Sequence, residues 1–162
     1  MPMREYDELV ICYTKDAGKQ TYQAKSILRP SSKQAGHLDI LNLVDFSLVH
    51  KNSHPIITSA YCLEPFSRLK SSLPAMATAF FLLECFDKLV FEGEADMRLW
   101  EFFLSQLKTC DRRTAEITDW PAVISSTRQE LLKILGYGPT VPLEQLANSQ
   151  FKSLQFARKV LV

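Results

Sequence analysis

Lys15, Lys19, Lys25, Arg29 and Lys33 fall within Thr14–Leu38, where Asp16 is the only acid. The whole 162-residue chain has a formal net charge of +1, so these cations are gathered rather than spread evenly. Spaced cations can follow a phosphodiester backbone. Each phosphate they neutralise releases condensed counterions, which makes such binding steeply salt-dependent. Single strands also gain from aromatic rings on which bases stack. Tyr13 and Tyr22 are the aromatics closest to the cations, and either can equally serve a core. By charge alone the stretch reads first as a solvated basic face and second as a surface for a polyanion.

Other reactive groups point less far. Cys12, Cys62, Cys85 and Cys110 lie too far apart for zinc-knuckle spacing, and each has mostly apolar neighbours. They read as reduced, buried thiols. His50 and His54 have the i, i+4 spacing of helical metal ligands. They fall on an expected turn before Pro55, where that spacing does not bring the rings together, so no metal is expected. Arg112-Arg113 reads as an exposed loop between helices, and Lys152, Arg158 and Lys159 as charges compatible with a helix C-terminus. Glu84, Asp87, Glu92, Glu94 and Asp96 read as a solvated acidic edge with helix-start charges. There is no G-x-S-x-G, P-loop or G-x-G-x-x-G pattern, and no cofactor or catalytic residue is expected. Met1–Glu5 leads to no apolar signal core. Ala75–Phe91, the most apolar segment, is short and contains Glu84, Asp87 and Lys88. The composition therefore reads as that of a soluble intracellular protein.

Two kinds of element must position these residues. Glu8–Thr14 is rich in β-formers. Lys15-Asp16-Ala17-Gly18 suits a hairpin turn, and Lys19–Leu28 continues as a strand with Tyr22, Ala24 and Leu28 inward. Lys19, Thr21, Gln23 and Lys25 then share the outer face. A loop begins at Arg29-Pro30. Asp39–His50 is a third strand with Ile40, Val44, Phe46 and Leu48 on one side. Lys51-Asn52-Ser53 turns it, and Pro55–Leu63 returns. After Glu64 the period becomes helical. Pro74 to about Phe91 forms a helix with a broad apolar arc through Met76, Phe80, Leu83 and Val90, and Phe81, Cys85 and Leu89 beside it. Asp96 caps a helix from Met97. Asp119 caps another with Pro121 in its first turn and Gly136 as its stop, and Pro142–Lys159 is a last helical stretch.

The order of these segments resembles the bacterial recombination mediator RecO family. The matching motifs are Thr14–Lys19, Ala24-Lys25 with Arg29–Lys33 and Ala35–Leu38, Tyr61–Phe66, Phe81–Glu84 with Gly93-Glu94, and Leu131–Pro139. The resemblance extends over most of Tyr6–Pro139. It implies an α+β protein: an OB-fold-like antiparallel β-barrel at 1–66 followed by a helical domain at 67–162. Compared with the family, the chain is expected to lack a strand before Tyr6; it has Ser26 where glycine is common and carries no cysteines after Gly136-Tyr137. It is also shorter after Pro139, so a zinc site is not expected. The resemblance further implies binding of single- and double-stranded DNA by Lys15, Lys19, Lys25, Arg29 and Lys33, strand annealing, and recombinase loading without turnover chemistry. The implied partners are a RecR-like protein and the tail of single-strand-binding protein, in the cytoplasm on the nucleoid. A protein-interaction module of the same fold that has lost annealing, or an RNA-binding OB module, are the alternatives.

Overall fold

The computed structural model describes residues 5–50, 54–138 and 140–160. The expected turn at Lys51–Ser53, Pro139 and the side chain of Arg158 lie outside the described residues. The chain forms two compact units, one ending at Pro65 and the other beginning at Phe66.

The first unit is a sheet of β1 (Glu8–Thr14), β2 (Gly18–Ala24), β3 (Leu43–Val49) and β4 (Ile56–Glu64), in the order β1-β2-β4-β3. β1 and β2 form an antiparallel hairpin in register from Glu8↔Ala24 to Thr14↔Gly18. Gly18 closes the three-residue loop at φ +64°, a left-handed conformation that suits glycine. Thr14 braces it, its Oγ1 donating to the Gly18 carbonyl at 3.0 Å and accepting from the Ala17 N–H at 3.2 Å. β3 and β4 are antiparallel. β2 and β4 meet in parallel at Gln23↔Ile56 and Ala24↔Ile57, so the sheet is not antiparallel throughout. Among the described residues it is open, with β1 and β3 at its edges. Tyr22, Ala24 and Ile57 are buried on its inner face, where the Tyr22 ring meets Phe46 edge-on at 5.2 Å, and Ile56, paired with Gln23, is buried on the other side.

Two strands are shorter than the sequence suggests. β2 stops at Ala24 because Ser26 turns to φ +53° and gives its N–H to the Asp7 carboxylate. Ile27 is therefore buried, while Leu28, expected inward, is 54% exposed. β3 begins at Leu43 because Leu41 lies at φ +62°, which leaves Ile40 outside the sheet and exposed.

The second unit is helical: α1 (Ser67–Lys70), α2 (Leu73–Leu89), α3 (Met97–Arg112), α4 (Trp120–Ile134), α5 (Leu143–Leu146) and α6 (Lys152–Val160). Asp96 and Asp119 cap α3 and α4 by accepting N–H bonds, as their positions suggest. Gly136, at φ +81°, ends α4 in a Schellman turn, with the Tyr137 N–H bonded to the Leu132 carbonyl at 2.8 Å. The expected final helix is broken into α5 and α6 at Asn148, φ +48°, a conformation asparagine tolerates. α2 packs against α1, α3, α4 and α6. Its most buried residues are Ala75, Ala77, Thr78, Ala79, Phe81, Leu82, Cys85 and Phe86; of the expected stripe, Met76, Phe80 and Leu83 are half-buried and Val90 is buried. Ala75 and Ala79, one turn apart, leave room for a neighbouring helix on one side, and Ala77 does so on another.

Candidate nucleic-acid interface

All five cations lie on the sheet unit, distributed over three places. Lys15 is exposed in the hairpin loop, and Lys19 is paired with Tyr13 just beyond it. Lys25 follows the opposite end of the hairpin. It lies in a turn rather than on the strand, so it does not continue the Lys19–Thr21–Gln23 face. At about 3.4 Å per residue, the six-residue separation of Lys19 and Lys25 corresponds to roughly 20 Å. A nucleic-acid strand presents several phosphates over that length. Arg29 is exposed, with its guanidinium 5.5 Å from the centroid of the Tyr6 ring. Lys33 is exposed in the loop that follows. The cations are therefore spread over the hairpin and the loop after it rather than gathered in one cluster.

Asp7 holds the second position. It is 5% exposed, and its carboxylate accepts the Ser26 N–H at 2.8 Å and Gln23 Nε2 at 3.1 Å. The Leu28 N–H donates to the Tyr6 carbonyl at 3.1 Å. Lys25 and Arg29 are thus displayed from a turn fastened to the residues preceding β1. No spacing rule marks Asp7 in this role, since its partners lie 16 and 19 residues away.

The loop carrying Lys33 is stitched along β4. Gln34 Nε2 donates to the Thr58 carbonyl at 2.9 Å, and the Cys62 N–H donates to His37 Nδ1 at 3.2 Å. β2 meets β4 only at Ile56 and Ile57, so these side chains engage β4 where its pairing with β2 has ended. The His37 ring stacks on Tyr61 at 5.7 Å, and Tyr61 is 66% exposed. An exposed stacked ring is a suitable base platform, and its sequence signal, an aromatic on an alternating strand, is too common to single it out. Of the two aromatics nearest the cations in sequence, Tyr22 is core, and burial raises its phenol above the usual value. Tyr13 is half-buried on the outer face.

Among the described residues, the remaining lysines and arginines belong to the helical unit. Arg113 pairs with Glu116 at 3.0 Å, and Lys152 and Lys159 are exposed on α6. Burial pushes the Cys12 and Cys110 thiols up to about 11 and that of Cys85 higher still. Among the described residues no group of three or more His, Cys, Asp or Glu side chains is placed to hold a metal ion, and no helix is long and apolar enough to cross a membrane.

Comparison with known proteins bears on this same unit. Residues 1–66 match the family model described as the N-terminal part of recombination protein O. Over 151 residues the chain is 29% identical to the DNA repair protein RecO of Dehalococcoides mccartyi strain 195, covering 93% of this chain and 57% of that relative. It is 26% identical over 137 residues to RecO of Desulforudis audaxviator, covering 85% and 53%. It is 27% identical over 141 residues to RecO of Acaryochloris marina, covering 87% and 47%. The chain thus spans about half the length of these curated relatives. The α+β architecture, the segment order and these matches agree, and together they support a member of the RecO family.

Proposed function

We propose that the chain is a non-catalytic DNA-binding protein of recombinational repair, which binds the DNA backbone and promotes strand annealing and recombinase loading. The observation that carries this reading is that the matched residues 1–66 are the unit holding Lys15, Lys19, Lys25, Arg29 and Lys33. Phosphates would lie along the hairpin and loop, with Tyr61 and His37 available for stacking. The helical unit would serve as docking platform for a RecR-like partner and for the acidic, apolar tail of single-strand-binding protein, since grooves between helices accept such peptides. This role places the protein in the cytoplasm, on the nucleoid.

Titration of a fluorescent oligonucleotide at two salt concentrations tests the reading. Binding that weakens steeply with salt supports it, and absence of binding at low salt overturns it. Preference for RNA of the same sequence would favour an RNA-binding role. A second reading, a protein-interaction module, draws on the edge position of β1, whose backbone can accept a partner strand. Capture of a partner protein by a chain that does not bind nucleic acid would favour it.

A further inference from the structure

The outer face of the β1–β2 hairpin is not itself a row of cations. Directly paired residues of an antiparallel ladder share a face. Leu9↔Gln23, Ile11↔Thr21 and Tyr13↔Lys19 therefore lie together on one side, opposite the side that buries Tyr22 and Ala24. Leu9 is 41% and Ile11 59% exposed. Isolated exposed aliphatics are ordinary. Here two stand at i and i+2 on one face, with Tyr13 next in line.

Charge frames this apolar strip. Lys19 shares the face, Lys15 stands in the loop at one end, and Lys25 follows the last pair at the other. The hairpin's acids are Asp16, in the loop, and Glu8, which alternation assigns to the opposite face. An apolar middle between cations complements a ligand with flat apolar groups on an anionic chain. A duplex keeps its base faces stacked and shows only base edges in its grooves, whereas an unpaired strand can lay its base faces on a surface.

We propose that Leu9, Ile11 and Tyr13 form a base-contacting strip that makes this hairpin prefer single-stranded over duplex nucleic acid. The inference rests on the DNA-binding reading and deepens it. The cations supply affinity common to both forms, and the strip supplies affinity that only unstacked bases can use.

The test compares wild type with the double variant Leu9→Thr/Ile11→Thr. Threonine keeps strand propensity at both exposed positions. Each protein is titrated with a single-stranded oligonucleotide, its duplex, and the same strand carrying abasic sites. Wild type should bind the abasic strand more weakly than the natural one. The variant should lose about fivefold in affinity for the natural single strand, with unchanged duplex affinity and unchanged salt slope. Equal losses on single strand and duplex, or wild-type binding that ignores base removal, would overturn the strip while leaving backbone binding intact. Wild type binding none of the three ligands would instead take down the DNA-binding reading itself. The abasic comparison needs only the wild-type protein, so the strip stays open to refutation even if the double variant folds poorly, and the single variants Leu9→Thr and Ile11→Thr then locate the base contact.

Discussion

Glu84 on α2 caps α6 through Ser153. Its Oε2 accepts the Ser153 N–H at 2.7 Å and the Ser153 hydroxyl at 2.5 Å, while Oε1 accepts the Lys152 N–H at 3.0 Å. The first N–H groups of a helix have no partner within it, and here they are satisfied by a carboxylate 68 and 69 residues earlier in the chain. Lys88 joins the cluster, 2.9 Å from Glu84 Oε1 and hydrogen-bonded to the Gln150 carbonyl, with its ammonium 4.8 Å from the centroid of the Phe151 ring.

Removing this cap should loosen α6. Glu84→Ala is expected to lower the stability of α6 docking by about 1–3 kcal/mol, because it deletes the acceptor for two backbone donors and a hydroxyl. Hydrogen exchange resolved to the α6 amides checks it. Unchanged protection there would deny Glu84 the role.

Acid should act on the same cap. Burial pushes the Glu84 carboxyl up, but bonds from Ser153, Lys88 and Lys152 outweigh it and bring the group from 4.5 down to about 2. A carboxyl lowered on folding stabilises fully above its unfolded value and loses that contribution as pH falls through its folded value. Protection of α6 should thus decline between about pH 4.5 and pH 2. Glu84→Gln should flatten that decline, as followed by hydrogen exchange across the range.

Lys19→Ala, Lys25→Ala and Arg29→Ala, combined, should weaken single-strand binding at low salt by on the order of tenfold or more. They should also make the logarithmic salt slope shallower by roughly 0.7 for each phosphate that is no longer neutralised. Fluorescence titration across a salt series measures both. An unchanged slope would remove these cations from the interface.

Asp7→Ala should cost about 1–3 kcal/mol, since it leaves the Ser26 N–H without its acceptor in a buried site. Because Lys25 and Arg29 depend on that turn, DNA affinity should fall as well, by less than the triple substitution causes. Chemical denaturation and the same titration read the two effects.

Gly136→Ala should cost about 1 kcal/mol by conformation alone. Its φ is +81°, and a Cβ there would meet nothing within 4 Å. A lowered midpoint in thermal unfolding is the expected result.

The cysteines give a last check. With Cys12 and Cys110 pushed up to about 11 and Cys85 higher, few of these thiols ionise near neutral pH in the folded protein. Alkylation mapped by mass spectrometry should be slow at all three until denaturant is added.

Much of the fold is local chemistry and is therefore legible in the chain. The run of β-formers from Glu8 to Thr14 with Gly18 after a short loop specifies the hairpin, because strand propensity and left-handed glycine act within a few residues. Asp96, Asp119 and Gly136 mark helix ends for the same reason. The clustering of five cations on one early stretch, and the motif order that indicates the RecO family, are likewise properties of sequence. Tertiary structure alone decided the rest, because it depends on residues far apart in the chain. Asp7 ends β2 early and turns Lys25 off the strand, His37 and Gln34 fasten the loop to β4, and β4 meets β2 in parallel. Glu84, which reads as one more solvated acid, becomes the cap of α6 only when α2 and α6 pack together. Pairing partners chosen across long separations leave no periodic trace in either partner's neighbourhood.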